Sequence, residues 1–174
     1  MSASISSLSA SDLEASLEEF AGLLHACVHA GANVNFVLPF PLAEASAFWR
    51  ERVLPPLGQG RRLLLAAREE GRLLGTVQLD HDTPPNQPHR AEVAKLLVHP
   101  AARRRGIARA LMGELEGRAR GLGRSLLTLD TRTGDAAEPL YLSLGYERAG
   151  IIPDFCLDPL VPRLYPTTIM FRRL

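Results

Sequence analysis

Fourteen residues carry the clearest chemical signal in this chain: Lys95-Leu96-Leu97-Val98-His99-Pro100-Ala101-Ala102-Arg103-Arg104-Arg105-Gly106-Ile107-Ala108, an apolar strand running into an Arg/Gly loop and then a helix. The first amides of a helix have no partner inside it, and its dipole favours negative charge at that end. A glycine there lets an anion approach the backbone closely, so the segment reads as a phosphate cradle. Taken alone it suits a nucleotide, a sulfate or a phosphosugar.

Other chemistries find less support. His25 and His29 stand four apart with Cys27 between them, but two ligands on one helix face leave a divalent metal short and spacing implies no third. They read as histidines near a helix C-terminus. No G-x-S-x-G elbow occurs, and Cys156 lacks a context that would lower its pKa, so no acyl-enzyme is expected. Cys27 and Cys156, far apart and without a C-x-x-C partner, read as buried free thiols.

The formal net charge is +1, and Lys95 is the one lysine beside nineteen arginines. Arginine is therefore the chain's generic cation, which moves weight from the loop's arginine side chains to Gly106 and the amides around it. With no basic excess and no aromatics interleaved among cations, a nucleic-acid partner is not expected. No Lys or Arg precedes Arg50, which argues against a secretory or transit leader. Apolar runs such as Leu63 to Ala67 fall far short of the roughly 20 residues that cross a bilayer, so a cytoplasmic protein with no membrane partner is expected. A chain of 174 residues with 46% hydrophobic content suits one domain, 1–174, burying roughly 70% of its unfolded surface.

The elements that must position the loop follow from periodicity. Ser4 to Leu8 reads as a short strand; Ser11-Asp12-Leu13-Glu14 has capping-box spacing and opens a helix to about Ala30, with Leu13, Leu17, Phe20, Leu24 and Val28 at helical period. A second helix is expected near Leu42 to Val53, ended by Pro55-Pro56. Arg62 to Arg68 and Leu73 to Leu79 form a hairpin about Glu69-Glu70-Gly71. From Ala91 to Val98 the chain is extended, with Glu92, Ala94, Leu96 and Val98 on one face and Ala91, Val93, Lys95 and Leu97 on the other. Gly106 to about Arg120 is helical, Ile107, Leu111, Leu115 and Ala119 inward, the pairs Glu114/Arg118 and Glu116/Arg120 outward. Strands at Ser125 to Asp130, Tyr146 to Ile152 and Thr168 to Arg172, and a short helix at Ala136 to Leu144, complete a mixed α/β fold.

The order of parts narrows the loop's ligand. After the Arg103-x-x-Gly106-x-Ala108 loop, its helix and a strand comes Ala137-Glu138-Pro139-Leu140-Tyr141-Leu142-Ser143-Leu144-Gly145-Tyr146. The chain resembles the GCN5-related N-acetyltransferases, whose [QR]-x-x-G-x-[GA] loop binds the acetyl-CoA pyrophosphate and whose A-x-x-[LF]-Y-x-x-x-G-[FY] segment follows the next strand. Two ordered motifs carry far more weight than one glycine pattern. The blocks Arg90-Ala91-Glu92-Val93, Leu129-Asp130-Thr131 and Leu164-Tyr165-Pro166-Thr167-Thr168-Ile169 further resemble the tabtoxin resistance acetyltransferase and its relatives.

The resemblance implies a central twisted mixed sheet of about six or seven strands flanked by about four helices, with acetyl-CoA as cosubstrate and no metal. It places the pyrophosphate on amides around Arg104, Arg105, Gly106, Ile107 and Ala108, with Arg103, Arg104 or Arg109 neutralising phosphates, and the pantetheine along Leu96, Leu97 and Val98. Tyr141 falls where the family often sets a tyrosine near the CoA sulfur, and a phenol is protonated at pH 7 and able to donate. Glu92 and Asp130 lie on two strands that splay apart in this family. They become proton acceptors or anchors for an ammonium. The implied activity is acetyl transfer to the primary amine of a small, amino-acid-like or antibiotic-like molecule by direct attack on the thioester. The alternatives are a protein N-terminal or lysine acetyltransferase and a non-catalytic acyl-CoA sensor. Gly31 to Pro41, with Phe36 and Phe40, is expected to shape the acceptor site. Relatives that pair through C-terminal strands leave monomer and homodimer both open.

Overall fold

The computed structural model describes residues 3–174. Among them, seven strands form one sheet in the order β1-β2-β3-β4-β5-β7-β6: β1 (Ser4–Ser7), β2 (Arg62–Glu69), β3 (Arg72–Asp80), β4 (Arg90–Val98), β5 (Leu126–Arg132), β6 (Glu147–Leu157) and β7 (Leu164–Arg173). Every neighbouring pair is antiparallel except β4 and β5, which run parallel. No described helix is long and apolar enough to cross a membrane.

Helices α1 (Ala10–Ala15), α2 (Leu17–His29), α3 (Leu42–Phe48) and α4 (Leu54–Gly58) cover one face of the sheet. Their core holds Leu13, Phe20, Leu24 and Trp49 against Leu64, Ala66 and Leu97. On the other face α5 (Ile107–Gly121) buries Ile107, Leu111, Met112, Leu115 and Ala119 against Val77, Leu79, Ala91 and Val93, and α6 (Ala137–Ser143) adds Tyr141. Burial of each large apolar side chain is worth about 1.5–3 kcal/mol, enough for α5 to fix the loop at its start. Gly75 on β3 lets that helix sit close: a Cβ there would meet the Leu97 carbonyl at 2.8 Å and Ile107 and Leu111 at 3.3 Å.

Four expectations from periodicity need correction. The capping box belongs to Ser9 and Asp12, not Ser11 and Glu14: Ser9 N donates to Asp12 Oδ2 (2.8 Å), and Asp12 N to Ser9 Oγ (3.2 Å). The single first helix is two, broken at Ser16, whose amide turns back to the Leu13 carbonyl. Pro55-Pro56 opens α4 instead of ending α3: a π-helical turn, Trp49–Val53, joins them, and the Arg52 carbonyl accepts from Arg62 Nη1 (3.1 Å). Proline at a helix start removes amides that have no partner there. Finally, Glu116 points inward, at 5% exposure, and its carboxylate accepts from Arg172 Nη1 at 2.6 Å instead of pairing with Arg120. Glu114 and Arg118 do pair outward, at 2.8 Å.

Candidate active site

The site begins where β4 stops being a regular strand. Lys95 adopts a left-handed conformation (φ 50°), and the register against β3 shifts between Thr76↔Leu97 and Gln78↔Ala94. One extra residue in β4 makes a bulge, which flips the alternation beyond it. Leu97 therefore packs with α1–α4, whereas Leu96 and Val98 join Ala91 and Val93 on the α5 side. The expected grouping of Lys95 and Leu97 with Ala91 and Val93 fails for this reason.

The second irregularity is an opening in the sheet. β4 and β5 pair only from Arg90↔Leu126 to Glu92↔Thr128. Beyond Glu92 they separate, leaving a cavity of about 930 Å³ lined by Glu92 to Val98, by Asp130 to Arg132 and by Tyr141. Its floor at one end is the loop before α5: Arg103, Arg104, Gly106, Ile107, Ala108 and Arg109 all border it.

That loop is shaped as an anion cradle. Arg104 (φ 63°) and Gly106 (φ 78°) are both left-handed, and backbone that alternates in this way turns successive N–H groups toward one centre. The first internal bond of α5 is Ala110 N to Gly106 O at 3.0 Å, so the amides of Ile107, Ala108 and Arg109 are free of the helix. No acidic residue stands in the first turn, and no atom lies within 4 Å of where a Gly106 Cβ would be. Free donors, open space and neighbouring cations fit a pyrophosphate. Arg105 departs from the expectation. Its side chain donates to both Glu69 oxygens (2.6 and 2.8 Å) and does not border the cavity.

Around the strand opening the structure gathers Glu92, Asp130, Tyr141 and a fourth group, Lys95. The Glu92 side chain is about half exposed (53%), and its partial desolvation, then the Asp130 charge, push its carboxyl above the ordinary glutamate value. Arg90 approaches Glu92 only to 4.0 Å and hydrogen-bonds Gln87 (2.9 Å) and Thr128 (3.0 Å), so its charge offsets the rise at Glu92 only in part. Asp130 accepts a long bond from Thr167 Oγ1 (3.4 Å). Tyr141 is 6% exposed and packs on Tyr146; burial, then Asp130, raise its hydroxyl well above an ordinary phenol. Lys95 is pulled down by burial and Arg62, with Asp130 and Glu92 opposing. The Asp130 charge thus reaches Glu92, Lys95 and Tyr141 alike, which marks one electrostatic centre.

The family follows from sequence as well as from shape. A model described as the acetyltransferase (GNAT) family matches residues 33–146, from the segment after α2 through the Tyr141 motif. The chain belongs to the GNAT acetyltransferases. Within that family it is 36% identical over 117 residues to the N-alpha-acetyltransferase RimI of Mycobacterium tuberculosis, covering 62% of this chain and 70% of that protein. It is also 36% identical over 121 residues to an uncharacterized protein of Mycobacterium leprae, a match spanning 67% of this chain but 30% of that longer protein. A GNAT superfamily phosphinothricin acetyltransferase of Sinorhizobium meliloti, solved in complex with AcCoA, shares the fold at a TM-score of 0.79, with 24% identity over 100% of this chain and 89% of that one.

Two features of this GNAT site escaped periodicity. Lys95 reads as an ordinary strand residue until the bulge turns it, and the available signal was its being the chain's one lysine. The segment after α2, expected to shape the acceptor site, lines the cavity through Gly31 to Asn35, not through its phenylalanines. Phe40 is buried, and Phe36 packs at a tilt on Phe40 (ring centroids 4.5 Å apart) and edge-on to Phe48 (5.3 Å). Among the described residues no group of three or more His, Cys, Asp or Glu gathers as a metal site.

Proposed function

We propose that this chain is an acetyl-CoA-dependent N-acetyltransferase acting on the primary amine of a small molecule, with 1–174 as one catalytic domain. The observation that carries this reading is the bridging of the acceptor side. Leu38 N donates to the Pro159 carbonyl (3.0 Å), Asn33 Nδ2 to Cys156 Sγ (3.0 Å), and Leu160 reaches within 3.2 Å of a Cβ at Gly31. The segment after α2 and the β6–β7 connection therefore meet beside the cavity, where a peptide chain would need a channel between them. Resemblance to the tabtoxin resistance acetyltransferase, and structural likeness to a phosphinothricin acetyltransferase, favour an amino-acid-like acceptor and a role in resistance. The identity to RimI supports the second reading, acetylation of a protein N-terminus.

Bound acetyl-CoA supplies an acyl group already activated as a thioester. Amides of Gly106 to Arg109 hold its pyrophosphate, with Arg103, Arg104 and Arg109 near it, and Leu96 to Val98 offer backbone groups to the pantetheine. Glu92, its proton affinity raised by burial and Asp130, takes a proton from the incoming ammonium, and Asp130 holds that cation in place. Tyr141 keeps its proton at neutral pH, lines the cavity, and would donate that proton to the thiolate released from bound acetyl-CoA.

The test supplies acetyl-CoA with free amino acids, phosphinothricin-like amines and peptides with free N-termini, and follows thiol release. Turnover on a free amine supports the proposal. Turnover confined to peptides transfers it to the second reading, and CoA binding without turnover on any acceptor identifies a sensor.

A further inference from the structure

Lys95 is the one lysine in a chain that otherwise uses arginine, and it occupies the left-handed bulge that aims β4 at the cofactor cavity. Its ammonium lies 5.7 Å from the centroid of the Phe48 ring. Among the described residues, no carboxylate reaches it within 4.0 Å and no hydrogen-bond acceptor holds it. Glu92 and Asp130 act on it only through space. An arginine would supply the same fixed charge on a longer fork; what lysine alone supplies is an amine that can lose its proton and attack.

We infer that Lys95 is an internal acetyl acceptor, modified once per chain when acetyl-CoA is bound and no substrate amine competes. The inference rests on the reading of the cavity as the acetyl-CoA site. Lys95 immediately precedes the Leu96 to Val98 stretch proposed to carry the pantetheine, and it lines the same cavity as Tyr141. Burial and Arg62 lower its proton affinity, which enlarges the neutral, nucleophilic fraction. In the transfer, the ammonium first gives one proton to water entering the cavity. The Nζ lone pair then forms a C–N bond to the acetyl carbon as the C–S bond breaks. The second amine proton balances protonation of the sulfur, passed through the Tyr141 hydroxyl. The products are Nζ-acetyl-lysine, CoA thiol and one free proton, with no oxidant or reductant. The modified nitrogen is an amide and no longer a nucleophile, so the reaction stops after one acetyl group at this position.

The experiment incubates the whole chain with acetyl-CoA and no amine, then reads intact mass and a peptide map. The expected result is a gain of one acetyl group, located at Lys95, slowed by added CoA, and at least about tenfold slower in the urea-unfolded chain, where proximity is lost. Lys95→Arg keeps the charge and gains nothing at this position. Reductive methylation of the native wild-type chain gives an independent readout, since Lys95 labelling should be suppressed by CoA. Equal acetylation of native and unfolded chain, or modification only at the N-terminal amine, overturns the inference. So does an unmodified Lys95 in a preparation that releases thiol with an added amine, a result that leaves the cavity reading intact. If CoA neither protects Lys95 nor binds, both fail together.

Discussion

Gly106→Ala separates backbone strain from cofactor binding. Gly106 sits at φ 78°, ψ 0° as the N-cap of α5. An L-residue in that region costs about 1–2 kcal/mol, and the stiffer unfolded chain returns about 0.4–1 kcal/mol. No clash adds to this, because nothing lies within 4 Å of the new Cβ. The folded protein should lose about 1 kcal/mol, a fall in Tm of about 2–4 °C for a chain of this size. Binding should suffer more. Strain relaxed at this position would re-aim the free amides that follow it, and loss of one hydrogen bond to a charged phosphate is worth about 1.5–3 kcal/mol, or roughly tenfold to a hundredfold in Kd. Gly123→Ala is the matched control: it lies past the far end of the same helix with φ +71° and nothing within 4 Å, so it carries similar strain without touching the cradle. Calorimetry with CoA and thermal melts on both variants give the comparison. If Gly106→Ala weakens CoA no more than Gly123→Ala does, the pyrophosphate is not held at this loop.

Three further outcomes follow from named contacts. With Glu92 as the proposed proton acceptor, kcat/KM should rise with pH as it loses its proton, with a midpoint above the ordinary glutamate value of 4.5 because partial burial and Asp130 raise it; Asp130→Asn removes one cause and should move that midpoint to lower pH, and an unmoved midpoint contradicts the coupling. Arg172→Met leaves the Glu116 carboxylate, 7% exposed, without its 2.6 Å partner. It should cost about 3 kcal/mol in denaturant unfolding, with most of the loss recovered in Glu116→Gln/Arg172→Met. Arg105→Ala should leave CoA affinity within about twofold and stability within about 1 kcal/mol, because Arg105 is committed to Glu69 on an exposed surface.

What was legible in the sequence was what local chemistry dictates. Gly106 announces a left-handed residue before a helix, the period of Ile107, Leu111, Leu115 and Ala119 gives the buried face of α5, and Tyr141 takes its meaning from following them in order. Interactions distant in sequence were not legible. Glu116 looks like a surface partner of Arg120 until Arg172, 56 residues on, arrives beside it. The β4 alternation predicts one face for Lys95 and Leu97, but a bulge is imposed by pairing with β3, and no alternation rule contains it. Pro55-Pro56 reads as a stop because the π-helical turn that absorbs the missing amides belongs to the preceding residues. The candidate carboxylates Glu92 and Asp130 were found through family resemblance; the strand separation that brings them to one cavity comes from where β4–β5 pairing ends.

The central claim is that acetyl transfer takes place where β4 and β5 part, with Tyr141 as the donor to the sulfur. Single-turnover acetylation of a primary amine by Tyr141→Phe, with CoA affinity measured alongside, tests it most directly. General acid catalysis is worth about 10²–10⁴-fold, so the rate should fall by at least about a hundredfold while the Kd for CoA stays within about twofold. A rate within about threefold of the unaltered protein would contradict the assignment and place the proton donor elsewhere.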